Sequence, residues 1–227
     1  MTEKIIIFDS GALISFSMNG LIYQIRKLKE IFKGKFLITS DVKREIIDKP
    51  LTIKRFELEA MKLRQLLDEK ILEMPEAVGI NSNNLSKLTD EVLTNANKLF
   101  SGSKGPIKII DSGEASCIAL SNLLNQKKVQ NIIAVDERTT RLLIEKPENL
   151  KNLLQKRMHI NVNMSSQNQK YFKGYKIIRS TELIYVAYKK GLIKIKDKNI
   201  LDALLYALKF KGCAISNEEI SQIKKLG

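Results

Sequence analysis

Lys4-Ile5-Ile6-Ile7-Phe8-Asp9 and Gln130-Asn131-Ile132-Ile133-Ala134-Val135-Asp136 are the two stretches on which the fold of this chain turns. Each is a short, β-branched apolar run bounded by polar residues, the pattern of a strand buried on both faces. Each also stops at an aspartate, which neither strand needs for folding. In open parallel α/β sheets the carboxyl ends of the strands are where ligands bind. An acid placed there twice, in a chain with one histidine, points to a site built from carboxylates.

Around these strands the remaining sequence alternates between strand and helix patterns. Apolar spacing predicts a helix over 18–32, closed by Gly34, then a strand at 36–39. Ser40 or Asp41 is placed to cap a helix holding Val42, Glu45, Ile46 and Ile47, which Pro50 ends. Residues 53–73 form a charged helical stretch, 75–88 read as loop, and 85–100 as helix. Ser101-Gly102-Ser103-Lys104-Gly105-Pro106 has the composition of a flexible joint.

Asp111-Ser112-Gly113-Glu114 opens a helix reaching about Leu124, and another runs from Arg138 to about Glu145. Residues 147–174 are less regular. Tyr175-Lys176-Ile177-Ile178-Arg179 reads as a strand, followed by a helix capped by Ser180 or Thr181 and closed by Gly191. Leu201, Leu204, Leu205 and Leu208 mark one face of a further helix, and Ser216-x-x-Glu219 is a capping box for the last. Strands alternating with helices argue for one parallel α/β domain spanning 1–227. It carries a helical insertion at about 50–105, an irregular insertion at about 147–174 and a helical C-terminal part at 175–227.

Composition narrows the function classes. No apolar run reaches the length of a membrane span, and the N-terminus lacks a signal-peptide pattern, so a cytoplasmic protein with no membrane partner is expected. Cys117 and Cys213 lie 96 positions apart in apolar surroundings and read as reduced core thiols. A single histidine, His159, and the lack of CxxC argue against zinc and against a Ser-His-Asp or Cys-His machine. The formal charge is +14. Residues 151–227 hold 16 Lys and Arg against 5 Asp and Glu, net +11, an imbalance that points to an anionic partner, usually nucleic acid.

Four acids occupy equivalent places. Asp9 and Asp136 end strands, while Glu45 and Glu114 lie in the opening turns of helices that follow. In a doubly wound sheet all four fall at one end of the molecule. Carboxylates gathered there repel unless protonated or neutralised, and a hard oxygen set without thiolates suits Mg²⁺ or Mn²⁺. Such a centre serves metal-dependent phosphodiester hydrolysis. Each acid also has a local role available. Asp9 and Asp136 can form Asx turns, Glu45 can be solvated, and Asp111-x-x-Glu114 has capping-box spacing.

Phe8-Asp9-Ser10-Gly11-Ala12-Leu13-Ile14 resembles the opening motif of PIN-domain proteins. Thr39-Ser40-Asp41-Val42-Lys43-Arg44-Glu45-Ile46 is similar to their second acidic motif. Ser112-Gly113-Glu114-Ala115-Ser116-Cys117-Ile118-Ala119-Leu120 and Val135-Asp136-Glu137-Arg138-Thr139-Thr140-Arg141 look like one prokaryotic branch, similar to VapC-type toxins. The segments Arg179–Leu183 and Lys189–Ile193 look like that branch too. The resemblance implies a Rossmann-like α/β/α sandwich with a mainly parallel central sheet. It also implies a Mg²⁺- or Mn²⁺-dependent endoribonuclease, the toxin of a toxin–antitoxin pair, with RNA as substrate, an antitoxin protein docking near the acids, and dimerisation common. Asp9, Glu45, Glu114 and Asp136 then take the catalytic and metal-binding roles. Ser10 supports the first acid, Glu137 adds negative charge, and Arg138 or Arg141 meets a substrate phosphate.

A rival mapping uses Leu201-Asp202-Ala203-Leu204 as the helix bearing the third acid and Asn217-Glu218-Glu219 as the fourth site. It leaves Asp136 unexplained, and Asp202 is equally placed to pair with Lys198 at i−4. Two other functions stay open on the sequence: a non-catalytic PIN-like module that binds nucleic acid or protein, and a nuclease acting on DNA or structured junctions.

Overall fold

The computed structural model of the chain describes residues 4–226. β1 (Lys4–Phe8) passes into α1 (Ser10–Met18) and α2 (Ile22–Ile31), then β2 (Gly34–Leu37) and α3 (Ser40–Lys43), which widens into a π-turn at Arg44–Asp48. α4 (Glu57–Asp68) and α5 (Ser82–Leu99) follow, then two short strands, β3 (Phe100–Gly102) and β4 (Gly105–Pro106). α6 (Ser112–Gln126), β5 (Gln130–Ala134), α7 (Arg138–Glu145) and α8 (Pro147–Met158) come next, with β6 (Asn163–Met164) and α9 (Ser166–Gln169) after them. The chain ends with β7 (Ile177–Ile178), α10 (Ser180–Lys189), α11 (Ile200–Phe210) and α12 (Asn217–Lys225).

β2-β1-β5-β7 form a four-stranded, wholly parallel sheet. This is an α/β fold with a central parallel sheet, as the alternation of patterns predicts. The chain runs from β1 to β2 on one side and returns to β5 on the other. The carboxyl ends of β1 and β5 therefore form the switch point of the sheet, where a crevice opens. The Ile5, Ile7 and Phe8 side chains of β1 are buried, as a strand covered on both faces requires. Phe8 meets Phe36 of β2 edge to face with centroids 5.2 Å apart. Among the described residues, one apolar cluster runs from Ile5 to Ile223. No described helix is long and apolar enough to cross a membrane.

Several boundaries differ from the sequence reading, each for a physical reason. α1 was not evident, because Ser10–Met18 buries Ala12, Leu13, Ser15, Phe16 and Ser17 and so shows no amphipathic period. The Asn and Ser run within 75–88 is a helix start. The Asn81 side chain accepts from the backbone N–H groups of Asn83 and Asn84. The flexible joint expected at 101–106 is a hairpin, and β3 also pairs antiparallel with β6. Residues 147–174 hold a twelve-residue helix, α8, with Pro147 at its first position, where a missing N–H costs nothing.

Candidate functional site

Asp9 N–H donates to the Ala134 carbonyl at 3.0 Å, carrying the β1–β5 ladder one residue past Phe8. The same aspartate is the N-cap of α1, its Oδ2 accepting from Gly11 N–H at 3.2 Å. An added Cβ at Gly11 would lie 3.4 Å from Oδ2, in van der Waals contact with this carboxylate. Asp9 is 3% exposed and its Oδ1 has no hydrogen-bond partner. Burial, reinforced by the charges of Glu114 and Glu45, raises its pKa from 3.8 to about 7, tempered by the N–H groups of Gly11 and Ser10.

Glu114 sits in the first turn of α6. One carboxylate oxygen accepts from Asp111 N–H at 2.9 Å, closing the capping box with Asp111. The other accepts from the Thr140 hydroxyl. Capping and a place in the site are thus compatible for this residue. Burial raises its pKa, the Thr140 and Asp111 bonds oppose the rise, and the Glu137 and Asp111 charges add to it.

Glu45 stands in the π-turn, whose wider ring is closed by Lys49 N–H on the Arg44 carbonyl at 3.0 Å. Its carboxylate rests on the backbone of Gly113. A Cβ there would fall 2.7 Å from both oxygens, so only glycine admits the approach without a shift. Thr39 holds the two segments in register by capping α3 through Val42 N–H and bonding the Ser116 hydroxyl of α6 at 2.6 Å.

These residues open on one cavity of about 470 Å³ lined by Asp9, Ser10, Gly11, Glu45, Ile109, Asp111, Ser112, Glu114 and Glu137. Five of the nine are acids and none is basic. The N-terminal ends of α1, α6 and α7 meet here, and their partial positive charge offsets part of the repulsion. Glu137 caps α7 by accepting from Thr140 N–H at 2.8 Å.

The structure therefore brings Asp9, Ser10, Glu45, Glu114 and Glu137 together. Ser10 helps Asp9 through its backbone N–H. Asp136 is placed differently. Its Oδ1 accepts from Ser180 N–H at 2.8 Å and its Oδ2 from the Ser180 hydroxyl at 2.6 Å, and it does not line the cavity. That carboxylate fastens β5 to the start of α10, and the outer acid of the cavity is its neighbour Glu137. Asp111, which the sequence offered only as a cap, also lines the cavity.

Arg138 and Arg141 line an adjoining cavity of about 360 Å³ with Leu142, Ala214, Ile215, Ser216 and Glu219. Arg141 donates to the Ala214 carbonyl at 2.7 Å. The residues of the rival mapping do not line the acidic cavity: Asp202 pairs with Lys224, Asn217 accepts from Tyr206 and Lys209, and Glu219 lines the second cavity, paired with Arg179. His159 is exposed at the C-terminal end of α8. Cys117 and Cys213 are free and buried, and burial pushes the Cys213 thiol up to about 12.

Among the described residues no three acids, cysteines or histidines are arranged to hold an ion as they stand. The side chains are instead engaged within the protein, Glu114 with Thr140 and Asp111 and Glu137 with Thr140. The donor set nevertheless fits a hard divalent cation: it is all oxygen, of its five acids Asp111 pairs with the basic Lys108, and one buried carboxylate oxygen lacks a partner. No protein-family model matches the chain, and neither a curated protein nor a solved structure matches it.

Proposed function

We propose that the chain is a PIN-like, metal-dependent endoribonuclease acting at the switch point of a Rossmann-like sheet. The observation that carries this reading is the cavity lined by five acids and no base, among them Asp9, whose buried Oδ1 has no hydrogen-bond partner. Asp9, Glu45 and Glu114 would hold Mg²⁺ or Mn²⁺, with Glu137 at the rim. A cation bound there supplies Lewis acidity toward water and phosphate.

The protein's own part is positioning and charge. Asp9 is fixed by the β1–β5 ladder and by Gly11 N–H. Glu114 is oriented by Thr140 and Asp111, and Glu45 by its seat on Gly113. Arg138 and Arg141 stand beside the acids, where a phosphate of the substrate would be met. The basic 151–227 segment attracts the polyanion.

An antitoxin partner would reach the site through the apolar cavity of about 530 Å³ between α1 and α4, which shares Glu45 with the acidic one. The test is cleavage of labelled single-stranded RNA with Mn²⁺ or Mg²⁺, against EDTA and Asp9→Asn. Cleavage that needs both the metal and Asp9 is the expected result. RNA bound without cutting, indifferent to chelation, would make the protein a binding module, and preferential cutting of DNA would overturn the choice of RNA.

A further inference from the structure

α11 ends in an aromatic pair, half-buried Tyr206 and exposed Phe210. Tyr206 and Phe210 stack with centroids 5.9 Å apart and planes 30° from parallel. Phe210 is 78% exposed, more than any other large apolar side chain among the described residues. A lone exposed aromatic would need no explanation. This one is set in order by its surroundings. The Tyr206 hydroxyl and the Lys209 ammonium both bond the Asn217 side chain, and Lys209 also lies 5.6 Å from the Tyr206 ring centroid. The neighbour Lys211 is exposed.

The pair is linked to the acidic cavity through neighbouring residues, starting from Asn217, which Tyr206 and Lys209 bond. Glu137 lines that cavity, and Arg138, the next residue, lines the adjoining one. Ser216 lines the second cavity as well, and the residue after it is Asn217. The charges along this surface are unequal. Arg179 engages both Glu182 and Glu219, Arg141 reaches Glu145 and Lys224 pairs with Asp202, while Glu218 is exposed. Arg138 and Lys211 make no ion pair among the described residues.

We infer that Tyr206 and Phe210 form a stacking platform for a base of single-stranded RNA whose backbone passes over Arg138 toward the acidic cavity. This rests on the nuclease reading for its direction. A flat ring beside cations is the arrangement that holds unpaired bases without regard to sequence. A duplex would not fit, because its bases are already stacked on each other. The platform would fix the strand some way from the point of cleavage and so contribute binding rather than chemistry.

The chain has no tryptophan, so Phe210→Trp introduces a single tryptophan at the platform, excited selectively at wavelengths that tyrosine does not absorb. In an Asp9→Asn background with EDTA, short single-stranded oligouridylate should quench it. An abasic strand of the same length and duplex RNA should not. In the otherwise native chain, Phe210→Ala should weaken binding of the oligouridylate about tenfold, and Phe210→Tyr should restore it.

RNA that binds without quenching the fluorophore, or abasic strand that quenches equally, overturns the platform. So does Phe210→Ala that shifts the sedimenting species and leaves RNA affinity unchanged, since the face would then join copies of the chain. An equal or stronger response to the deoxy strand overturns the assignment to RNA. Metal-dependent cleavage without quenching would sink the platform and leave the nuclease reading in place. Quenching by RNA in a protein that never cleaves would do the reverse.

Discussion

Asp9→Asn should stabilise the metal-free protein while abolishing its activity. Ionising Asp9 with a folded-state pKa of about 7 in place of 3.8 costs the fold about 4 kcal/mol at pH 8, at about 1.4 kcal/mol per unit. Asparagine removes that cost and keeps an oxygen for Gly11 N–H. It leaves a buried amide N–H₂ unpartnered, a penalty of about 1–3 kcal/mol. The net gain is about 2 kcal/mol, or roughly 4–8 °C in Tm for a chain of this size.

The dependence on pH has a definite sign. The folded state binds the Asp9 proton more tightly than the unfolded state does. Its contribution to stability is therefore full below about pH 4 and is lost as pH rises through about 7. Between pH 8 and pH 5 the advantage of the variant should shrink by about 2–3 kcal/mol. Urea unfolding in EDTA at both pH values measures this, and Mn²⁺ should then stabilise the native protein alone. A variant less stable than the native protein at pH 8, or a difference that does not change with pH, would refute the argument from burial.

Gly113→Ala should leave thermal stability level or slightly raised, since alanine favours the helix by about 0.5–1 kcal/mol. It should also displace Glu45 and reduce metal-dependent cleavage about tenfold or more, read from initial rates. Ser180→Ala strips one of the two donors from buried Asp136 and should lower the unfolding free energy by about 1–3 kcal/mol, read as a lower urea midpoint at unchanged m-value. Asp136→Asn should likewise cost stability while calorimetry still detects Mn²⁺ binding; loss of binding in a folded Asp136→Asn protein would return that residue to the metal. Thr140→Val removes a hydroxyl that favours ionised Glu114, so titration of Mn²⁺ affinity should show the metal held only at a higher pH than in the native protein.

The sequence made the core of this arrangement readable because its signals are local. An apolar run ending in Asp9, or a helix opening at Glu114, states both residue type and place within a few positions. What stayed hidden depends on distant partners. Adjacent acids at 136 and 137 look interchangeable in sequence. Ser180, 44 residues onward, engages the first and leaves the second to face the cavity. α1 is apolar on most sides and carries no period to detect. The glycines and serines of 101–106 have the composition of a linker, yet they fold back on each other as a hairpin whose outer edge is covered by β6, some sixty residues later. Tyr206 and Phe210 stood in plain view on a helix stripe, but their stacking and exposure follow from how α11 lies against α12.

The pairing of β3 with β6 has a practical consequence. The two segments that interrupt the α/β alternation are bound to each other across a sheet of their own. Trimming one to reach a minimal catalytic core would leave the other with an open hydrogen-bonding edge, the usual template for aggregation. Any shortened form of this protein has to lose both segments together or keep both.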